Sequence, residues 1–431
     1  MSSPVWHPFT QHGLQEPIPR VDRADGAVLH LADGGTLIDC ISSWWVTTHG
    51  HCDPRIAAAI AAQAGRLDQL IFAGYTHEPA EVVARGLVDL APRAPERPPL
   101  AHVFFSDSGS TAVEVALKMA LGYWYNLSLD GGPPPRSRIL VLEHSYHGDT
   151  IGAMAIGERG VYNAAWQPLL FDVGTIPYPA AGRERDCLAA LDDACAAPDA
   201  PAAFIVEPLV LGAGGMLIYP AWVLREMAAI CARHGVLFIA DEVMTGWGRT
   251  GTLFACEQAG IVPDIMAVAK GITGGALPLA ATLATPAIFD AHYSTDRARL
   301  FYHSSSYTAN PIACAAAVAN LAIWRDEDVR GRIATLAAGL THRLAKLSAH
   351  PAFANPRQSG TIVAIDLVAT DAGYLSDLAP ALRAFFLEKG LLLRPLGNSI
   401  YLMPPYCMDS EQLDRIFAAL AQAGDHFGLS D

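Results

Sequence analysis

Residues 236–251 read VLFIADEVMTGWGRTG and residues 252–275 continue as TLFACEQAGIVPDIMAVAKGITGG, and the fold is decided here. Val236 to Ala240 and Ile265 to Ala269 are short, apolar and partly β-branched runs, the pattern of strands buried on both faces of a parallel sheet. Each run ends in one ionisable residue, Asp241 after the first and Lys270 after the second. In open parallel sheets ligands bind beyond the carboxyl ends of the strands, so both groups are expected on that rim.

An acid and an amine so placed are either a buried ion pair or the working pair of a pyridoxal phosphate enzyme. In the second case the lysine forms the Schiff base and the carboxylate keeps the pyridine nitrogen protonated as an electron sink. Lysine usage favours the second. The chain has only Lys118, Lys270, Lys346 and Lys389, and the other three lie in helix-like, partly polar settings, whereas Lys270 sits between AVA and GITGG. A lysine in such surroundings destabilises the fold unless its amine is used or paired.

Strands alternating with helices from about 100 to 285 predict a mostly parallel α/β sheet with crossover helices. In HVFFSDSGSTAVEVALKMALGYW (102–124), Thr111 and Glu114 have capping-box spacing, which aims the amides near Gly109 and Ser110 out of a helix N-terminus. That end serves a phosphate or is simply well capped; the residues leave both open. RILVLEH (138–144) places Tyr146 just past a strand's carboxyl end, where its ring could stack on a flat cofactor, and AAFIVEP ends likewise at Glu207. LGAGGM (211–216) lacks the glycine order of a dinucleotide site. A helix over Ala221–His234 is expected to stop at Gly235.

Pro4, Pro8, Pro17 and Pro19 mark an arm, and AVLHLADGGTLID predicts a hairpin turning at Asp33–Gly35. Trp44 and Trp45 in ISSWWVTTHGH are core anchors or a ligand wall, and residue preference favours the core. His49, His51, Cys52 and Asp53, and likewise His144 and His147, match no ligand spacing, so no metal is expected. Past Pro311 an Ala-rich helix gives way to strands near TIVAIDL and SIYLMPP, a smaller α+β unit. The expected division is an N-terminal segment of the small domain at 1–48, a large cofactor-binding domain at 49–324 and the C-terminal small domain at 325–431.

Composition narrows the class of function. The chain's 431 residues, 52% hydrophobic, can build two sizeable cores, and a net charge of -14 without basic runs argues against a nucleic-acid or anionic-membrane surface. Eight scattered cysteines without a CxxC pair suit reduced thiols in a cytoplasmic protein. MSSPVWHPFT has neither a basic start nor an apolar core of a secretion signal, and Pro311–Trp324 is too short and polar to span a bilayer.

Several segments together carry a resemblance: WHPF at 6–9, SSWW at 42–45, SDSGSTAVEVALKMA at 106–120, YHGDT at 146–150, ADEVMTGWGRTG, the Lys270 segment, NPIACAAA at 310–317 and RPLGNSIYLMPPY at 394–406. Over nearly its whole length the chain resembles class III aminotransferases of the fold-type-I pyridoxal phosphate superfamily. The double tryptophan and the arginine-to-YLMPPY strand resemble more narrowly the branch that moves an amino group from adenosylmethionine to 8-amino-7-oxononanoate in biotin synthesis. The resemblance implies that Lys270 carries the cofactor, Asp241 pairs with its ring nitrogen, Gly109 and Ser110 hold its phosphate and Tyr146 lies against its ring. It implies a homodimer in which Ser305 and Ser306 bring a phosphate contact across the interface. Trp44, Trp45, Tyr146 and Ser304 would line the substrate slot, and Arg394 would bind the acceptor's carboxylate. Four positions depart from the family pattern: Phe9 stands at a tyrosine, Ser304 at a glycine, Ser306 at a threonine and Leu211 at a glutamine. Phe9 and Leu211 leave open the same acceptor with lysine as donor, or an ω-amino acid:pyruvate or diamine transaminase. A pyridoxal phosphate-binding regulator would need a fused basic DNA-binding module, for which the N-terminus has neither length nor charge.

Overall fold

Seven short strands, apolar for most of their length, build the central sheet, as a computed structural model shows; it describes residues 3–428 except 96, 162, 370–372 and 374–375. In spatial order the strands are His102–Ser106, Ala280–Ala284, Ile265–Val268, Leu237–Asp241, Ala203–Val206, Ile139–Leu142 and Gly174–Ile176. All but Ala280–Ala284 run the same way. Leu237–Asp241 pairs in register with Ile265–Val268, Asp241 opposite Ala267, so Asp241 and Lys270 leave neighbouring strands at the same edge. Both strands are buried along their whole length, which is why their sequences show no alternation.

The helix Gly109–Leu129 starts one turn earlier than its capping signal suggests. Its N-cap is Ser108, whose hydroxyl accepts from the Thr111 amide while the Thr111 hydroxyl accepts from the Ser108 amide. Thr111 is therefore the third helical residue and not the cap; Glu114 instead accepts from Thr150 and from the amides of Gly152 and Ala153.

The N-terminal hairpin Val28–Leu31 and Thr36–Asp39 turns at Gly34, and Leu391–Leu392 adds to it in parallel, with Leu391 opposite Ile38. A second small sheet orders Phe353–Ser359, Ile362–Leu367 and Ser399–Leu402. Its first strand escapes a sequence reading because FANPRQS carries a proline and a polar run; its register shifts between Ala354 and Arg357, where Asn355 is left-handed.

The tryptophan pair sits in a short turn, Ser42–Trp45, in which Ser42, Ser43 and Trp45 all have positive φ. Side chains in that region strain the backbone by roughly 1–3 kcal/mol each, so something must hold them. The buried Asp39 carboxylate does so, accepting from the Ile41 amide at 3.2 Å, the Ser43 amide at 2.6 Å and His51 Nε2 at 2.7 Å, while Ser42 Oγ donates to the Met403 carbonyl. Of the two rings only Trp45 is core; Trp44 remains 44% exposed, because the left-handed turn points successive side chains to different sides. Asp39→Ala should lower the unfolding free energy by about 2–4 kcal/mol, the cost of orphaning buried donors, read from urea denaturation. A loss under 0.5 kcal/mol would show that the turn does not depend on this carboxylate.

Candidate active site

At the carboxyl edge of the sheet a cavity of about 210 Å³ is lined by Phe9, Trp44, Trp45, Gly109, Ser110, Tyr146, His147, Glu207, Asp241, Lys270, Arg394 and Tyr401, among others. Asp241, Glu207 and Lys270 come from the ends of parallel strands, Gly109 and Ser110 from a helix start, and Phe9, Trp44, Trp45, Arg394 and Tyr401 from the two terminal parts of the chain. Lys270 follows Ile265–Val268 and has left-handed backbone, φ 48°, at the head of the turn Lys270–Thr273. Its Nζ lies 4.8 Å from the centre of the Trp45 ring. Burial lowers the Lys270 pKa to about 8; Asp241 and Glu207 oppose that fall and Arg249 adds to it.

Asp241 is buried and fixed. Its Oδ2 accepts from His147 Nδ1 at 2.7 Å and its Oδ1 from the Val243 amide at 3.0 Å. The hydrogen bond sets the His147 tautomer, with Nδ1 carrying the proton. Glu207 takes the amides of Tyr146 at 3.0 Å and Gly212 at 2.9 Å, and burial still raises its pKa to about 7. Burial, then the neighbouring Asp149, pushes the Tyr146 phenol upward, so it stays protonated. Trp45 Nε1 donates to Tyr401 Oη at 3.0 Å. At the mouth, Arg394 donates to the Phe9 carbonyl at 2.9 Å, its guanidinium 5.3 Å from the Trp44 ring and 5.8 Å from the Phe9 ring.

Pyridoxal phosphate fits these residues. The amine and carboxylate suit an aldehyde and a ring nitrogen, and the capped helix start offers amides to a phosphate. The backbone there approaches too closely for side chains: a Cβ on Gly148 would fall 2.1 Å from Ser110 Oγ, and one on Gly109 would fall 2.6 Å from Val243.

Of the residues singled out in the sequence, Lys270, Asp241, Tyr146, Gly109, Ser110, Trp44, Trp45 and Arg394 meet in this cavity. Ser304, Ser305 and Ser306 do not line it. Ser305 Oγ donates to Asp107, beside the helix start, and the Ser306 carbonyl accepts from Gln69, while Ser304 and Ser306 are exposed. Leu211 is wholly buried in the short pair with Leu217, away from the cavity lining. His147 and Glu207 were missed as site residues. Their signal was position, each lying at or just past the end of an apolar strand run, the same signal that found Asp241. His49 and His51 have structural partners, Asn320 and Asp39. Among the described residues no group of three or more His, Cys, Asp or Glu could hold a metal ion, and no helix is long and apolar enough to cross a membrane.

Residues 10–423 match the family Aminotransferase class-III, and the chain belongs to it: it is a pyridoxal phosphate-dependent aminotransferase of fold type I. Relatives named adenosylmethionine-8-amino-7-oxononanoate aminotransferase include one from Synechococcus elongatus, 48% identical with 98% of both chains covered. Another, from Mycobacterium leprae, is 38% identical over 98% of this chain and 95% of its own. Among solved structures, the enzyme of that name from Methanocaldococcus jannaschii superposes with a TM-score of 0.92 at 32% identity, covering 99% of this chain and 98% of that one. A PLP-bound amine transaminase from an uncultivated Pseudomonas species gives 0.88 at 32% identity, covering 99% and 100%.

In cofactor-free protein, acylation of Lys270 followed by peptide mass spectrometry should titrate with a midpoint near 8. Asp241→Asn removes an attraction for the charged amine, so the midpoint should fall below the wild-type value. A midpoint that stays or rises would mean that Asp241 does not act on the amine.

Proposed function

We propose that the protein transfers the amino group of S-adenosylmethionine to 8-amino-7-oxononanoate, giving 7,8-diaminononanoate for biotin synthesis. The observation that carries this reading is one cavity joining Lys270 and Asp241 to Arg394 at a mouth walled by Trp44 and Phe9. A guanidinium suits the carboxylate of the acceptor, and the aromatic walls suit both its apolar chain and a sulfonium donor. The names of the relatives support the same substrates.

In this reading Lys270 holds the cofactor, Asp241 faces its ring nitrogen with His147 orienting the carboxylate, the amides of Gly109 and Ser110 hold its phosphate, and Tyr146 lies against the ring. Pyridoxal phosphate supplies, when bound, a carbonyl for the travelling nitrogen and a sink for the electrons released at carbon. Lys270 Nζ, neutral once displaced, takes the proton from the carbon bearing that nitrogen and returns it in the reverse sense for the second substrate. The donor leaves as a keto compound and the acceptor's ketone becomes an amine. Arg394 anchors the acceptor's carboxylate, and the half-reaction with the donor uses the same walls.

We take the protein to act as a homodimer in the cytoplasm, with Ser304, Ser305 and Ser306 facing a second copy. Exposed Ile71, Tyr75, Leu300, Tyr302 and Tyr307 lie on the adjoining segments 68–75 and 300–310, which contact one another through Gln69 and Asn310. The division into 1–48, 49–324 and 325–431 is supported by the parallel pairing of Thr36–Asp39 with Leu391–Leu392.

Incubating purified holoenzyme with 8-amino-7-oxononanoate and adenosylmethionine, lysine or alanine separately, with products followed by mass spectrometry, tests the reading. Diaminononanoate is expected with adenosylmethionine. Product with lysine alone would change the donor, and no product with any of the three would point to an ω-transaminase. Lys270→Ala should cut turnover by at least about 10²–10⁴-fold, the worth of positioned proton transfer. Arg394→Ala should weaken the acceptor half-reaction roughly 10- to 100-fold, as expected for a hydrogen bond between charged groups, and spare the donor half. Equal losses in both halves would exclude a simple carboxylate clamp.

A further inference from the structure

The Lys270 turn is left-handed at its first residue and again at Gly274 and Gly275, and it is enclosed on three sides. A Cβ on Gly271 would fall 2.6 Å from Trp247 Cβ, and one on Gly275 would fall 2.6 Å from the Val46 carbonyl. On the third side stands Asn320, wholly buried in the Ala-rich helix Pro311–Asp326. Its Nδ2 donates at 3.0 Å to both the Gly271 and Ile272 carbonyls. Because Nδ2 donates twice, Oδ1 must accept, and it takes its proton from His49 Nε2 at 2.8 Å. His49 is thereby the Nε2–H tautomer, and its Nδ1 has no hydrogen-bond partner among the described residues. Burial lowers the His49 pKa to about 4, which keeps the ring neutral and the tautomer fixed across the working pH range. The neighbouring Thr48 amide donates to the Gly274 carbonyl at 3.2 Å, closing the other end of the turn.

We propose that Asn320, oriented by His49, is a positioning residue for Lys270: its amide bridges the two carbonyls after the lysine and fixes the left-handed turn from which Nζ reaches the cavity. A lysine in this conformation relaxes toward ordinary backbone unless the turn is pinned, since left-handed backbone costs a non-glycine residue roughly 1–2 kcal/mol. The same strap joins the turn to Trp45, because His49 and Thr48 lie four and three residues beyond it; the ring under the amine and the backbone behind it are set together. The inference rests on Lys270 being the catalytic amine.

The charged groups facing Lys270 are Asp241, Glu207 and Arg249, and those facing His49 are Arg332, Asp53 and Glu327. All stay in place in the variants that test the proposal. Asn320→Leu keeps the volume and removes the bridge. Its kcat should fall roughly 10- to 100-fold, the effect of misplacing a reacting group by about an ångström, with KM for both substrates little changed. In cofactor-free protein the pH midpoint for acylation of Lys270 should rise from near 8 toward the ordinary lysine value. His49→Leu should move both readouts the same way by less, and His49→Gln, which can still donate to Oδ1, should restore them. A folded Asn320→Leu protein with lowered Tm but wild-type kcat and midpoint would overturn the proposal, since a merely structural asparagine affects only the first. Should that variant not fold, identical kcat and midpoint in His49→Leu and His49→Gln would overturn it equally. Retained transamination in Lys270→Ala would instead remove the premise.

Discussion

The structure depends on taking one amine out of water. Lys270 is buried at the end of a strand, and burial alone disfavours its charged form. Arg249 pushes in the same direction, while Asp241 and Glu207 push back, leaving an amine that exchanges its proton near pH 8. The opposing carboxylates would themselves be costly if left unpaired in so dry a place. Each is therefore given hydrogen-bond donors: the Val243 amide and His147 Nδ1 for Asp241, and the Tyr146 and Gly212 amides for Glu207. The Glu207 amides come from a strand end and a tight hairpin, so the sheet and its loops are also the electrostatic support of the site.

Much of this could be read from the sequence because the informative signals were local. An ionisable residue at the end of an unbroken apolar run marks the carboxyl edge of a parallel sheet, and that rule found Asp241, Lys270 and Tyr146. The helix start at Gly109 was recognisable from small polar residues, although the cap proved to be Ser108, since the four consecutive hydroxyl-bearing or glycine positions 108–111 offer several equivalent capping registers. What the sequence could not show were pairings between distant segments. His147 meets Asp241 across 94 positions and Asn320 meets the Lys270 turn across 49. No spacing rule anticipates either. The buried asparagine sits in an Ala-rich helix, and its use becomes apparent only with two carbonyls opposite it. The left-handed Ser42–Trp45 turn was hidden for a related reason: its strain is offset by Asp39 and by Met403, partners outside the turn.

The mouth of the cavity shows what a departure from the family pattern changes. Arg394 is held by the Phe9 backbone carbonyl and by the faces of Trp44 and Phe9. A phenylalanine at this position therefore leaves the hold on the guanidinium intact, because the hydrogen bond comes from the main chain. The missing hydroxyl changes only what the ring offers to a bound substrate. Leu211, by contrast, is sealed in the core and offers a substrate nothing directly.

Arg249 joins segments that are distant in the chain beside the site. It is almost wholly buried, and its guanidinium donates to the Thr47 carbonyl at 2.8 Å and the Pro404 carbonyl at 3.0 Å, with its centre 5.1 Å from the Tyr406 ring. Thr47 follows the tryptophan turn, Pro404 follows the strand Ser399–Leu402, and Arg249 itself belongs to the loop after Asp241. One planar cation thus ties the N-terminal segment, the C-terminal sheet and the large sheet together. A neutral side chain could make the same hydrogen bonds with less desolvation, but it would not repel a second positive charge. Because Arg249 helps lower the pKa of Lys270, the group that joins the parts also makes the amine at their junction easier to deprotonate.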